Sequence, residues 1–196
     1  MHARLPTLTL VGLLVPALLG AGPVPDDAAS PPRDGRPEEA NVLSDAQILG
    51  ILQVANRGEM ALGEQAQRQG QAQVVRDFGA RMVAEHSALD EQLTAFANRM
   101  GLAPEPSRVS QWLEGKANHI ITHVAPYSGQ AYDVFSTDGQ IFLHATVVSL
   151  VDWMSTEAEN PDLRAALVMA RPGLLGHLRA AADVRAALGD PPATMP

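Results

Sequence analysis

The sequence predicts an all-α fold: a four-helix bundle with a long connection between the second and third helices that contains a short extra helix. Three observations predict it. Apolar residues recur in alternating steps of three and four along four segments, as on helices that bury one face in a bundle. Capping residues stand in front of the first and last of these segments, and glycine or proline stands behind the first, second and last. Composition agrees: 46% of residues are hydrophobic but only 4% aromatic, and the helix formers Ala, Leu, Gln and Arg are frequent.

The first helix begins after Ser44. Ser44 and Gln47 fit a capping box, and Asp45 suits the positive end of the helix. Its seam runs Ile48, Leu52, Ala55, Glu59, Leu62, Ala66, and Gly70 stops it. The second helix follows at once, so the two form an antiparallel hairpin. Its seam is Val75, Phe78, Met82, His86, Leu89, Leu93, Phe96, Met100, ended by Gly101, Pro104 and Pro106. The connection over residues 102–129 carries a short helix from Ser107 to about His123, with Val109, Trp112, Leu113, Ile120 and Ile121 on its apolar side and Pro126 at its end. Its length permits a crossover between the ends of a bundle, with Trp112, Tyr127 and Trp153 expected to pack it down.

The third helix covers about residues 130–157. Its seam is Thr137, Ile141, His144, Val148, Val151, with Met154 beside it, and Gly139 weakens it locally. The fourth starts at Asn160 as N-cap with Pro161 in the first turn. Its seam is Leu163, Leu167, Ala170, Leu174, His177, Ala181, Val184, Leu188; Gly189 and Pro191 stop it. Pro172, inside this helix, cannot donate to the carbonyl of Val168, so a kink is expected there.

The rest of the chain bounds the function. Formal net charge is -8 and the pI about 5.1, which argues against nucleic acid as a partner. Without cysteine there are no disulfides, thiolate ligands, Fe–S clusters or Cys nucleophiles. A basic start, an apolar run over residues 5–20 and small residues after it read as a secretory signal peptide over 1–22. No other stretch is expected to span a membrane. Residues 23–43, rich in Pro, Asp, Glu and Ala, read as a disordered tether. The bundle takes 44–189 and a tail 190–196. The chain is therefore expected in the periplasm or secreted space.

Each helical seam carries one ionisable residue near its middle: Glu59, His86, His144 and His177. Such groups in a core are costly unless paired or metal-bound. With the first turn near Gly70, Glu59 and His86 differ in height by roughly 7 Å; with the second near Glu159, His144 and His177 differ by roughly 4–5 Å. Each hairpin therefore brings its pair to one level, and the halves read as a loose duplication. Imidazole and carboxylate suit one transition ion: Zn, Fe, Mn or Cu. The alternative is a polar hydrogen-bonded layer that only sets helix register. Met82 and Met154 would tilt a site towards copper or simply pack the core. A di-iron centre is disfavoured, because the residues three before the histidines are Val83, Ile141 and Leu174 rather than Glu. Glu85, beside His86, is expected to point away from the seam. Asp133 reads as a helix-start or loop anchor. His119 and His123, spaced i,i+4, read as an exposed pair without a role. No phosphate loop or nucleophile elbow favours an enzyme.

Four stretches carry a family resemblance: Arg81-Met82-Val83-Ala84-Glu85-His86, Gly129-Gln130-Ala131-Tyr132-Asp133, Ile141-Phe142-Leu143-His144, and Arg171-Pro172-Gly173-Leu174-Leu175-Gly176-His177-Leu178. Over about residues 43–188 the chain resembles the exported helical proteins of domain-of-unknown-function family 4142, often labelled outer membrane proteins. Asp133 and His144 keep that family's spacing of eleven, while Tyr132 replaces its usual Phe and Glu85 its usual Asp. Residues 118–126 look like extra material. The resemblance implies an exported ferritin-like bundle, with no function attached. The expected role is a non-enzymatic binding or stress-associated protein; the oligomeric state, a homo-oligomer included, stays open.

Overall fold

The computed structural model describes residues 43–189. The expected signal peptide, the tether up to residue 42 and the tail lie outside the described residues. Among them the fold is all-α, with five helices and no strand. They are α1 (Asp45–Gln69), α2 (Gln73–Met100), α3 (Arg108–Val124), α4 (Gly129–Glu157) and α5 (Pro161–Leu188). Leu43, assigned from sequence to the tether, is buried in the main core.

Local chemistry explains the ends. Ser44 and Gln47 form the expected reciprocal capping box, and Ser107 with Ser110 forms a second one at α3. Gly101 closes α2 in the left-handed conformation, at φ 66°. Asn160 caps α5 by accepting from the N–H groups of Asp162 and Leu163. The start of α2 is different, because Ala72 has no side chain that can cap it. There the Asp133 carboxylate, brought in from α4, accepts from the N–H groups of Gln71 and Ala72 at 2.8 and 2.7 Å. The anchor role expected of Asp133 is therefore its observed role.

The helices pack as two hairpins, α1 on α2 and α4 on α5. α1 also meets α4, α3 lies across both, and α2 meets α5 more lightly than any other of these pairs. Glycines allow the close approaches. A Cβ on Gly79 would lie 2.6 Å from the Gly63 carbonyl oxygen, so α1 and α2 touch backbone to backbone there. Gly139, a weak point by propensity, is where Ile120 seats: a Cβ would fall 2.4 Å from Ile120 Cγ2.

Two apolar clusters form. The larger joins Ile48, Leu49, Ile51, Leu62, Phe96, Leu113, Leu143, Val151, Met154, Leu163 and Leu167; the smaller joins Phe78, Met82 and Ala181. Met82 and Met154 thus serve as packing. Trp153 also packs against the larger cluster, and Tyr127 stacks edge-on against Phe135. Trp112 does not pack as expected: it is 46% exposed, with Lys116 over its ring. α5 runs unbroken through Pro172, which is exposed, and the carbonyl it cannot serve belongs to the exposed Val168. Water can satisfy that oxygen, so the helix tolerates the proline. α4 is long and apolar enough to cross a membrane by length and composition, contrary to the sequence expectation. More than half of its most apolar window is buried inside the fold.

Candidate metal centre

α2, α4 and α5 each place one imidazole in a common layer. On α2, His86 falls between Met82 of the smaller cluster and Phe96 of the larger; on α5, His177 falls between Leu167 and Ala181. The layer therefore separates the two apolar clusters. His86, His144 and His177 are 2%, 0% and 3% exposed. Their ring centroids lie 6.0 Å (His86–His144), 5.2 Å (His86–His177) and 5.4 Å (His144–His177) apart. One nitrogen from each lies within 4.8 Å of the others, a spacing that can hold a metal ion.

Hydrogen bonds decide which nitrogens are free. His86 Nδ1 is 3.1 Å from Asn56 Oδ1, His144 Nδ1 is 2.9 Å from the Gln140 carbonyl, and His177 Nε2 is 2.5 Å from Glu85 Oε2. Each partner is an oxygen acceptor, so each of these nitrogens carries the proton. The remaining three, His86 Nε2, His144 Nε2 and His177 Nδ1, are buried and find no hydrogen-bond partner among the described residues. Fixing one nitrogen to direct the lone pair of the other is how metal-binding histidines are oriented.

Burial also sets the protonation. It pushes His86 down to about 3 and His144 to about 4, and neighbouring imidazoles add to the shift. Burial lowers His177 too, against the opposing pull of Glu85. All three are neutral at pH 7, the form that binds metal. The His177–Glu85 contact is then a hydrogen bond donated by a neutral ring.

Glu59 takes a different place. Its Oε1 lies 3.3 Å from His144 Nδ1, the nitrogen committed to Gln140, and the converging group of donors contains the three histidines alone. Both its oxygens are buried without a hydrogen-bond partner among the described residues, and burial raises its pKa well above the ordinary value. The pairing inside the first hairpin also differs from the height count. Asn56, one turn before Glu59, reaches His86, while Glu59 reaches across to α4.

Sequence reading missed Asn56 and Glu85. Asn56 is polar and buried three residues from Glu59, a signal the seam count passed over. Glu85 lies off the α2 seam and its side chain is 38% exposed, yet it spans to His177 on α5 while accepting from Arg81 Nε at 2.7 Å. The expectation that it points away from the site is corrected: α5 packs against the α2 seam at Phe78 and Met82, close enough for the off-seam Glu85 to reach His177. Burial tends to raise the Glu85 pKa, but hydrogen bonds from Arg81 and His177 outweigh this and hold it below the ordinary value. His119 and His123 stack with centroids 5.8 Å apart on the exposed side of α3, away from this layer.

The chain belongs to the family described as a domain of unknown function (DUF4142), whose model matches residues 29–184. No curated protein and no solved structure matches it.

Proposed function

We propose that this chain is an exported, ferritin-like four-helix bundle that binds one divalent transition-metal ion through His86, His144 and His177, with Glu59 as its buried counter-charge. The observation that carries the reading is the convergence of three unpartnered, neutral, buried imidazole nitrogens. Three such orphans in one layer call for a common occupant, because buried polar atoms are rarely left unpaired. An all-imidazole donor set suits Zn, Fe or Cu better than the oxygen-seeking Mg or Ca. Two carboxylates stand behind the rings, Glu59 at His144 and Glu85 at His177. Ionised, they balance the charge of a divalent ion. The role proposed is binding. Export rests on the N-terminal sequence pattern.

The test is metal content and Co(II) titration of tag-free protein. Wild type should bind one ion per chain. His86→Ala, His144→Ala and His177→Ala should each weaken binding by more than about a hundredfold, beyond the loss typical of an outer partner. Equal and negligible metal in all four proteins would end the proposal.

One observation favours a second reading, a layer that only sets register. Burial raises the Glu59 pKa and so favours its neutral form, beside imidazoles that are neutral too, and such a layer can stand without an ion. On that reading His177→Leu should leave the fold intact and raise its melting temperature.

A further inference from the structure

We infer that the Arg81–Glu85–His177 contact is a latch on the α2–α5 seam, and that metal ions load into and leave the imidazole layer through this seam. The inference rests on the metal-binding reading and adds the route and its control.

All four side chains of the layer are buried, but what covers the two sides differs. On the α1–α4 side, Glu59 and His144 are 1% and 0% exposed. α3 lies over them, seated by Ala117 against Gly58 and by Ile120 against Gly139. Both glycines sit next to a residue of the layer's α1–α4 wall, Glu59 and Gln140, and both are filled by α3. That side is sealed by packing that would have to be undone.

The α2–α5 side differs in two respects. The two helices meet more lightly than the other packed pairs. His177 is also the one histidine of the three whose fixed nitrogen is held by a partly exposed side chain: Glu85 is 38% exposed, while Asn56 and Gln140 are buried. Its oxygens divide the work, Oε1 taking Arg81 and Oε2 taking His177. Glu85 therefore touches solvent, a surface guanidinium and a ligand ring at once. Releasing Oε2 frees the His177 ring to turn on the face of α5 that meets α2 only lightly. Local opening of this kind draws on the least-packed part of a fold.

A latch and a simple orienting partner make different kinetic predictions. Loss of an orienting partner speeds release of the ion and leaves loading unchanged. Loss of a latch speeds both. The experiment is stopped-flow loading of apo full-length protein with Co(II), and release of Co(II) to excess EDTA. Glu85→Ala should load and release about tenfold faster than wild type, as expected for lowering a local opening cost. Asp152→Asn, which breaks the exposed Arg171 pair between α4 and α5, and Ile120→Ala, which loosens the α3 side, should each load within about twofold of wild type. If Glu85→Ala does not fold by circular dichroism, Glu85→Gln serves instead. It keeps the bulk and an acceptor but loses the charge that holds Arg81, and should load at least about threefold faster. Unchanged loading in the folded Glu85 variant, or equal acceleration by Ile120→Ala, overturns the latch while leaving the metal site standing. Failure of wild type to take up Co(II) overturns both.

Discussion

In the α1–α2 hairpin the turn is tied by Asp133 of the other hairpin; in the α4–α5 hairpin it is tied by Asp45 of the first, which accepts from Glu159 and Asn160 N–H at 2.9 Å each. Each hairpin thus holds the other's turn with a carboxylate near the start of its own first helix. From that shared frame the two diverge. The second hairpin contributes two imidazoles to the layer; the first contributes one imidazole and the three side chains that stand behind the rings, Asn56 at His86, Glu59 at His144 and Glu85 at His177. The first hairpin is tight, crossing at Gly63 and Gly79; the second has open space at Gly176. A common scaffold has been divided into a half that supplies the supporting side chains and a half that carries most of the imidazoles.

Acid should separate the halves most strongly. The imidazoles have folded pKa values below the ordinary 6.5, so their contribution to stability is complete above that pH and is lost as pH falls towards about 3 for His86 and about 4 for His144. Glu59 has the opposite sign: its folded pKa lies above 4.5, so its contribution is complete below that pH and is lost as pH rises. Between pH 7 and 5 the two shifts of the first hairpin oppose each other, while His144 and His177 act together in the second. Hydrogen exchange of the apo protein at pH 5 should show α4–α5 opening ahead of α1–α2. Equal protection in both hairpins would break the comparison.

The close crossing makes the next largest difference. Gly79→Ala should cost up to about 3 kcal/mol in urea melts, because helix backbones must separate to admit the methyl group. The turn ties should follow. Asp133→Ala should cost about 2 kcal/mol, since Asp133 is buried and α2 has no cap of its own. Asp45→Ala should cost about 1 kcal/mol, because Asn160 still caps α5. Reversal of that order would mean the ties are not what distinguishes the turns. Gly176→Ala should have the smallest effect and the opposite sign, a gain of about 0.5–1 kcal/mol from helix propensity with nothing to strike.

Much of this was open to reading in one dimension. Helical periodicity is a local property, so seam positions, capping residues and the burial of His86, His144, His177 and Glu59 follow from spacing alone. Asp133 was legible as an anchor because it stands near a helix start. Glu85 was not, because an off-seam position gains a partner only once tertiary packing brings a residue of another helix within its reach. Gly139 shows the same limit: propensity marks it as a weakness, and only the seating of Ile120 shows it to be a fit. Trp112 fails in the other direction, since an apolar side of a short helix need not be covered along its whole length.

By itself the sequence determined the all-α class, the helix boundaries and the set of buried ionisable groups, because caps and seams act within a few residues of one another. The tertiary structure alone decided which of those groups converge. It set three imidazoles facing one point, placed Glu59 behind His144 instead of beside His86, and turned Glu85 towards the layer. Those outcomes depend on how helices are rotated and staggered against each other, and a difference of one turn, which spacing cannot resolve, exchanges one partner for another.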